Sequence, residues 1–166
     1  LYSTIQRNAE RILQLVNQLM DIRKIDKGQM SLMFKKAEIV SFTRDLLETF
    51  EQQTRVKKLD LKFHTSAPEI EMWIDPKNFD KIILNLLSNA CKFTPENGQV
   101  EISLSTGEDT HLPQNAPLRR YVELTVADSG IGIASTEREH IFERFYQIRN
   151  SQNNSNIGTG IGLHLT

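Results

Sequence analysis

Leu84-Asn85-Leu86-Leu87-Ser88-Asn89-Ala90-Cys91-Lys92-Phe93-Thr94 is the stretch on which the fold hangs. Asn85, Asn89 and Lys92 are separated by four and three positions, so a helix sets them on one face. Ile83, Leu86, Leu87 and Ala90 are left to pack the other side. Asn is a poor interior helix residue, and two at this spacing call for an explanation. On this segment alone two explanations stand: a solvated face, or a site for a Mg²⁺-nucleotide. An amide oxygen suits Mg²⁺, which prefers oxygen ligands and takes only one or two from protein. Lys92 would then neutralise phosphate charge.

Upstream, Asp75-Pro76 is a strong start for this helix, with Asp as the N-cap and Pro at the first helical position. Pro95 and Gly98 close it after about Phe93. Three short strands are predicted before it. Met30, Leu32 and Phe34 alternate with polar or flexible neighbours, as do Leu59, Leu61 and Phe63, and then Ile70, Met72 and Ile74. His64 falls on the wet side of the second of these and reads as a surface residue. Ile39, Val40, Phe42, Leu46, Leu47 and Phe50 recur at helical spacing, which predicts one core-facing helix over 38–56. Downstream, Val100, Ile102 and Leu104 pair as a hairpin with Val122, Leu124 and Val126, and Gly107 to Pro117 reads as a surface insertion between them. A short helix is expected within 135–146. The polar run 149–156 reads as a mobile loop, and a new helix is expected from about Gly160.

Residues 1–27 read as one amphipathic helix of roughly 40 Å. Leu1, Ile5, Ile12, Leu15, Leu19 and Ile22 keep heptad spacing, with Asn8 in the slot between Ile5 and Ile12. Leu13, Val16 and Met20 widen the stripe to that of a bundle helix, and Gly28 suits its C-terminus. Its expected partner is a segment outside this chain or a second copy.

Two glycine loops come after the central helix. Val126-Ala127-Asp128-Ser129-Gly130-Ile131-Gly132 is a strand ending in an acid and a tight turn. Gly158-Thr159-Gly160-Ile161-Gly162-Leu163 opens an apolar helix. Neither has Rossmann spacing or the Lys-Ser/Thr ending of a P-loop. Tight turns explain most single glycine loops. The second is better evidence, because bare N–H groups at a helix start form an anion site. Asp128 would repel phosphate, so it belongs at the base end of a nucleotide, where a carboxylate accepts from the exocyclic amine of adenine.

The order of these elements resembles the N, G1, F and G2 boxes of sensor histidine kinases of two-component systems. They are Asn85-x-x-x-Asn89-x-x-Lys92-Phe93, Asp128-x-Gly130-x-Gly132, Phe142-Glu143-Arg144-Phe145-Tyr146 and Gly158-Thr159-Gly160-Ile161-Gly162. That family lies within the gyrase, heat-shock chaperone, histidine-kinase and mismatch-repair ATPase superfamily. The resemblance implies an α+β chain: a two-layer α/β sandwich of the Bergerat ATP-binding type (29–166), preceded by the second helix of a dimerisation hairpin (1–28). It implies ATP and Mg²⁺ as cofactors. Asn89 would bind Mg²⁺, Asn85 would stand beside the phosphates or metal, and Lys92 would meet phosphate. Phe93 would border the adenine, Asp128 would take its amino group with Gly132 giving the base room, and Gly130 would belong to the same nucleotide-binding loop. Phe142 and Phe145 look like pins for a lid, and Arg144 like a residue that reaches the nucleotide. Gly158, Gly160 and Gly162 would cradle phosphate, and Thr159 and Leu163 would belong to the same nucleotide-binding loop. ATP-hydrolysing relatives carry Glu four positions before the metal-binding Asn. Here that position is Asn85, and an amide cannot take a proton from water. Phosphoryl transfer with slow hydrolysis is therefore expected.

The family's acceptor is a His on the first helix of the hairpin. His64, His111, His140 and His164 all lie off the N-terminal helix, so that helix and the closing strands after the last glycine box are expected outside this fragment. The resemblance implies the chain's own hairpin, a response-regulator receiver domain and a homodimer through the N-terminal helix as partners. A purely structural helical dimer would leave the four boxes unexplained. A nucleotide-binding switch without kinase activity is the alternative. The net charge of −1 argues against a large nucleic-acid face. The single cysteine, Cys91, reads as a small buried apolar group rather than a metal ligand. No apolar run approaches spanning length, so the chain as given is expected to be soluble, and the resemblance implies a cytoplasmic domain of a membrane-anchored sensor.

Overall fold

The computed structural model describes residues 2–111, 119–148 and 160–166. The chain divides into two compact units, Met33–Gly132 and a second made of Leu1–Leu32 with Ile133–Thr166.

In Met33–Gly132 the elements run β1 (Lys35–Glu38), α2 (Ile39–Glu48), α3 (Glu51–Lys57), β2 (Asp60–Thr65), β3 (Glu71–Ile74), α4 (Pro76–Phe93), β4 (Gln99–Glu108) and β5 (Arg120–Asp128), after α1 (Tyr2–Asp26) of the other unit. β2 pairs parallel with β4, and β4 antiparallel with β5, which makes a mixed sheet in the order β2-β4-β5. β1 and β3 form a separate antiparallel ribbon. Along β4 the residues alternate, with Val100, Ile102 and Leu104 fully buried. Leu47 and Phe50 join Ile83, Leu87, Ala90 and Cys91 of α4 against Leu59, Val100 and Ile102. Helices thus cover one face of the sheet, the two-layer α/β arrangement expected. Gly107 stands opposite Tyr121 in the hairpin, and a Cβ there would lie 2.5 Å from the Tyr121 ring.

The Glu38 side chain caps α2. Its carboxylate accepts from Val40 N (2.9 Å) and Ser41 N (2.7 Å), and also from Ile70 N (2.9 Å) ahead of β3. Burial alone would raise its pKa. The bonds from Ile70, Ser41 and Val40 overcome that and bring it down to about 2.

Several expectations need correction. The strand placed at Met30–Phe34 lies at Lys35–Glu38, because the register pairs Lys35 with Ile74 and Glu38 with Glu71. Met30, Leu32 and Phe34 are exposed. The single helix over 38–56 is two helices. The Thr49 N–H and hydroxyl both donate to Leu46 O, Phe50 N donates to Leu47 O, and Phe50 turns into the core. These i→i−3 bonds tighten and end the first helix. β4 runs through Gly107 and Glu108, so the insertion starts later than expected, and 112–118 lie outside the described residues.

In the second unit, α1 spans Tyr2–Asp26 and ends as expected at Gly28. Gly28 has φ +61, with Gly28 N donating to Ile25 O (2.9 Å) and Gln29 N to Lys24 O (2.8 Å), the paired bonds of a Schellman end. Ile5, Ile12, Leu13, Val16, Leu19 and Met20 are exposed, whereas Ile22 is buried. The helix expected within 135–146 is a run of turns, with isolated bonds such as His140 N to Glu137 O and Glu143 N to His140 O. A left-handed Phe145 (φ +63) is incompatible with continuing any helix there. Gly160 has φ +68 and cannot start a helix, and the chain beyond it forms one 3₁₀ turn, Leu163–Leu165. The run 149–156 lies outside the described residues. Among the described residues, no helix is long and apolar enough to cross a membrane.

Candidate functional site

The candidate site residues fall in both units, and each set has its own geometry. In Met33–Gly132 the foundation is α4. Asp75 caps it as expected, accepting from Asn78 N (3.1 Å) and, through its other oxygen, from Met33 N (2.8 Å). The Met33 bond is the main reason its carboxyl lies below the usual range. Ile83, Leu87, Ala90 and Cys91 are buried, which turns Asn85, Asn89 and Lys92 to the half-buried side of the helix. Three polar side chains therefore share a face beside the core, as the spacing predicts. Lys92 Nζ lies 4.7 Å from the centre of the half-exposed Phe93 ring, a cation–π contact.

The far end of α4 is held by a residue the spacing did not reveal. Lys57 Nζ donates to Cys91 O (2.8 Å), Lys92 O (3.0 Å) and Thr94 O (3.1 Å). Its charge sits at the negative end of the helix. Burial pushes the Cys91 thiol up, against the pull of Lys57, so Cys91 is a packed thiol as expected.

β5 ends at Asp128, whose Oδ1 accepts from Gly130 N (2.8 Å) in a tight turn. Ser129 ties this turn to β4: its hydroxyl accepts from Gln99 N (2.8 Å) and its N–H donates to Gln99 O (3.0 Å). A Cβ on Gly130 would meet Asp128 Oδ1 at 2.5 Å and Phe93 O at 2.7 Å. The first glycine loop therefore lies directly on the end of α4. Gly132 is left-handed (φ +67) and opens on free space, with nothing within 4 Å of a Cβ. Asn85, Asn89, Lys92 and Phe93 thus stand on α4, and Gly130 sets the Asp128 turn against the end of that helix. Amide oxygens for a cation, an ammonium for phosphate and a carboxylate at the far end form a donor set that fits Mg²⁺-ATP.

In the second unit Phe145 N donates to Gly160 O (2.8 Å), and a Cβ on Gly160 would meet Phe145 C at 2.7 Å. The Phe-Glu-Arg-Phe segment and the second glycine loop are therefore in contact. Phe142 (55% exposed) and Phe145 (60% exposed) are not packed as pins. The Arg144 guanidinium grips Asp26 through both Nη atoms, with Nη1 2.7 Å from Oδ2. Its Nε donates to His164 Nε2 (2.9 Å), and His164 Nδ1 is 3.0 Å from Phe142 O. Arg is donor-only, so His164 accepts at Nε2 and donates from Nδ1. The Arg144 bond holds the Asp26 carboxyl below its usual range. Asp26 in the last turn of α1 was a legible hint, since a carboxylate opposes the helix dipole there unless a cation answers it. Gly162 and Leu163 lead into the final turn. Gly158 and Thr159 lie outside the described residues.

Residues 74–166 match the family described as histidine kinase-, DNA gyrase B-, and HSP90-like ATPase. The sensor histidine kinase TmoS of Ectopseudomonas mendocina is 37% identical over 99% of this chain and 16% of its own length. A crystal structure of full-length ShkA in complex with AMPPNP aligns with a TM-score of 0.77 at 25% identity, over 98% of this chain and 31% of that one. The catalytic domain of histidine kinase ThkA shares the fold, with a TM-score of 0.64 at 23% identity over 81% of this chain and 78% of that one. ThkA has also been solved with the response regulator protein TrrA, where the TM-score is 0.62 at 21% identity, over 84% of this chain and 38% of that one. The chain spans 16%, 11% and 10% of the length of the first three curated relatives it matches. With more than half of its residues matched by the family model, the chain belongs to the histidine kinase-, DNA gyrase B- and HSP90-like ATPases.

Proposed function

We propose that this chain is the ATP-binding catalytic part of a two-component sensor histidine kinase, passing the γ-phosphoryl group of ATP to a histidine outside the fragment. The observation that carries the reading is the joined wall of α4 and the first glycine loop, with Asn85 at the position where a hydrolase needs a base. Residues 1–28 are assigned to a dimerisation hairpin and 29–166 to the ATP-binding domain. The exposed apolar stripe of α1 supports a partner helix and a homodimer.

Asn89 offers its amide oxygen to Mg²⁺, and Asn85 stands beside it at the phosphates. Bound Mg²⁺ supplies neutralisation of the triphosphate charge. Lys92 holds a phosphate oxygen, and Asp128 accepts from the adenine amine. Phe93 borders the base, Gly132 leaves it room, and Gly130 lets the Asp128 turn approach Phe93. Arg144, Phe142 and Phe145 are assigned to the nucleotide site on the resemblance of their segment to the family's F box. Gly158, Thr159, Gly160, Gly162 and Leu163 bring backbone N–H groups to phosphate. The bond from the γ-phosphorus to its bridging oxygen breaks, a P–N bond to an imidazole forms, and the imidazole N–H proton is released. The residues act by positioning and by charge stabilisation, and Asn85 takes no proton from water. A response-regulator receiver domain is the next acceptor, and the whole protein is a membrane-anchored sensor with this part in the cytoplasm.

Calorimetric titration with Mg²⁺-ATP tests the pocket. The chain should bind, and Asp128→Asn should lose binding while its circular dichroism stays unchanged. Equal binding by both would contradict the assignment.

A further inference from the structure

We infer that Lys57 is a positioning residue for the nucleotide pocket, setting the end of α4 at the height that adenine recognition requires. This rests on the ATP reading above. Cys91 O lies in the last turn of α4, and the residue four positions on is Pro95, which has no N–H to give. Lys57 supplies that donor (2.8 Å) and two more, to Lys92 O and Thr94 O.

These carbonyls flank Phe93 on both sides in sequence. The carbonyl of Phe93 is covered by Gly130, where a Cβ would come within 2.7 Å. The backbone around Phe93 is therefore held both by the Lys57 ammonium and by the loop that carries Asp128. The Lys57 backbone adds to this hold, since its carbonyl accepts from Asn97 N (3.2 Å). Asp60 N, three residues on, donates to Gly98 O (2.9 Å). Thr94, also held by Lys57, packs under Gly98, where a Cβ would meet Thr94 Cγ2 at 2.3 Å.

The Lys57 ammonium gives its bonds to three backbone carbonyls. Its effect passes through the backbone of Lys92-Phe93-Thr94 to the spacing between Phe93 and Asp128. Loss of the ammonium leaves carbonyls without their donor, frays the last turn and shifts the base-binding end more than the Asn85–Asn89 end. Discrimination of adenine from guanine is the property that should fall.

The test compares the unmodified chain, Lys57→Met, and Leu47→Ala as a core control of lowered stability, each titrated with Mg²⁺-ATP and Mg²⁺-GTP. Lys57→Met should weaken ATP by about tenfold to about a hundredfold, as removal of the groups that orient metal ligands does at metal sites, and narrow the ATP/GTP ratio. Leu47→Ala should keep the ratio. If Lys57→Met does not fold, Lys57→Gln, which retains two donors, should show the same narrowing in smaller degree. A Lys57 variant with the unmodified ATP/GTP ratio overturns the inference and leaves the ATP pocket standing. No ATP binding by the unmodified chain overturns the pocket itself.

Discussion

Gly130 sits so close to Phe93 that a Cβ on it would stand 2.7 Å from the Phe93 carbonyl oxygen. The same Cβ would meet Asp128 Oδ1 at 2.5 Å, so one missing side chain lets two parts of the pocket meet. Gly130→Ala should cost about 1–3 kcal/mol by overpacking and weaken ATP at least about tenfold. Gly132→Ala differs in kind: the space is open, and the penalty of about 1 kcal/mol comes from its left-handed backbone. Denaturant melts and ATP titrations of both variants check the contrast. Equal ATP affinity for Gly130→Ala and the unmodified chain would contradict it.

Asn85 decides between transfer and hydrolysis. Asn85→Glu places a carboxylate where water can be activated, and general-base assistance is typically worth about 10²–10⁴ in rate. Phosphate release from ATP should rise at least about tenfold in this variant. No rise, with ATP still bound, would remove Asn85 from this role.

Glu38 makes the α2 end sensitive to acid. Its pKa is about 2 when folded against 4.5 for the free side chain, a depressed carboxylate. Its contribution is therefore fully present above about pH 4.5 and is lost as pH falls toward 2. Glu38→Ala should lower stability by about 1–2 kcal/mol at pH 7, the cost of a lost cap with charge-assisted bonds. The difference from the unmodified chain should shrink between pH 4.5 and 2, as read by urea midpoints.

Lys58 ends α3 in the left-handed conformation (φ +54), which a side chain resists and glycine accepts. Lys58→Gly should raise stability by about 0.5–1 kcal/mol in thermal melts. A loss of stability would mean that the Lys58 side chain outweighs its backbone strain.

How much of the fold is legible in the sequence depends on how local each cause is. Asp75-Pro76 and the alternation of Val100, Ile102 and Leu104 act within a few residues, so α4 and β4 are legible. The polar face of Asn85, Asn89 and Lys92 is likewise a matter of helical period. The break at Thr49–Phe50 is hidden, because the apolar spacing runs straight across it while i→i−3 bonds to Leu46 O and Leu47 O end the helix. Ile141, Phe142 and Phe145 imitate an amphipathic helix, but Phe145 is committed to Gly160 in a left-handed turn. Lys57 reaches carbonyls 34–37 positions away, and no spacing rule connects them. Gly130 announces a turn, but only its contact with Phe93 explains why the residue must be glycine.

The most direct test of the central claim is phosphoryl transfer. The chain is incubated with γ-labelled Mg²⁺-ATP and a hairpin peptide from a histidine kinase that carries the acceptor His. Acid-labile, base-stable label on that His, lost with Asn89→Asp and Asp128→Asn, is the predicted result. ATP bound by the chain with the hairpin left unlabelled, or sustained hydrolysis in place of transfer, would contradict the account.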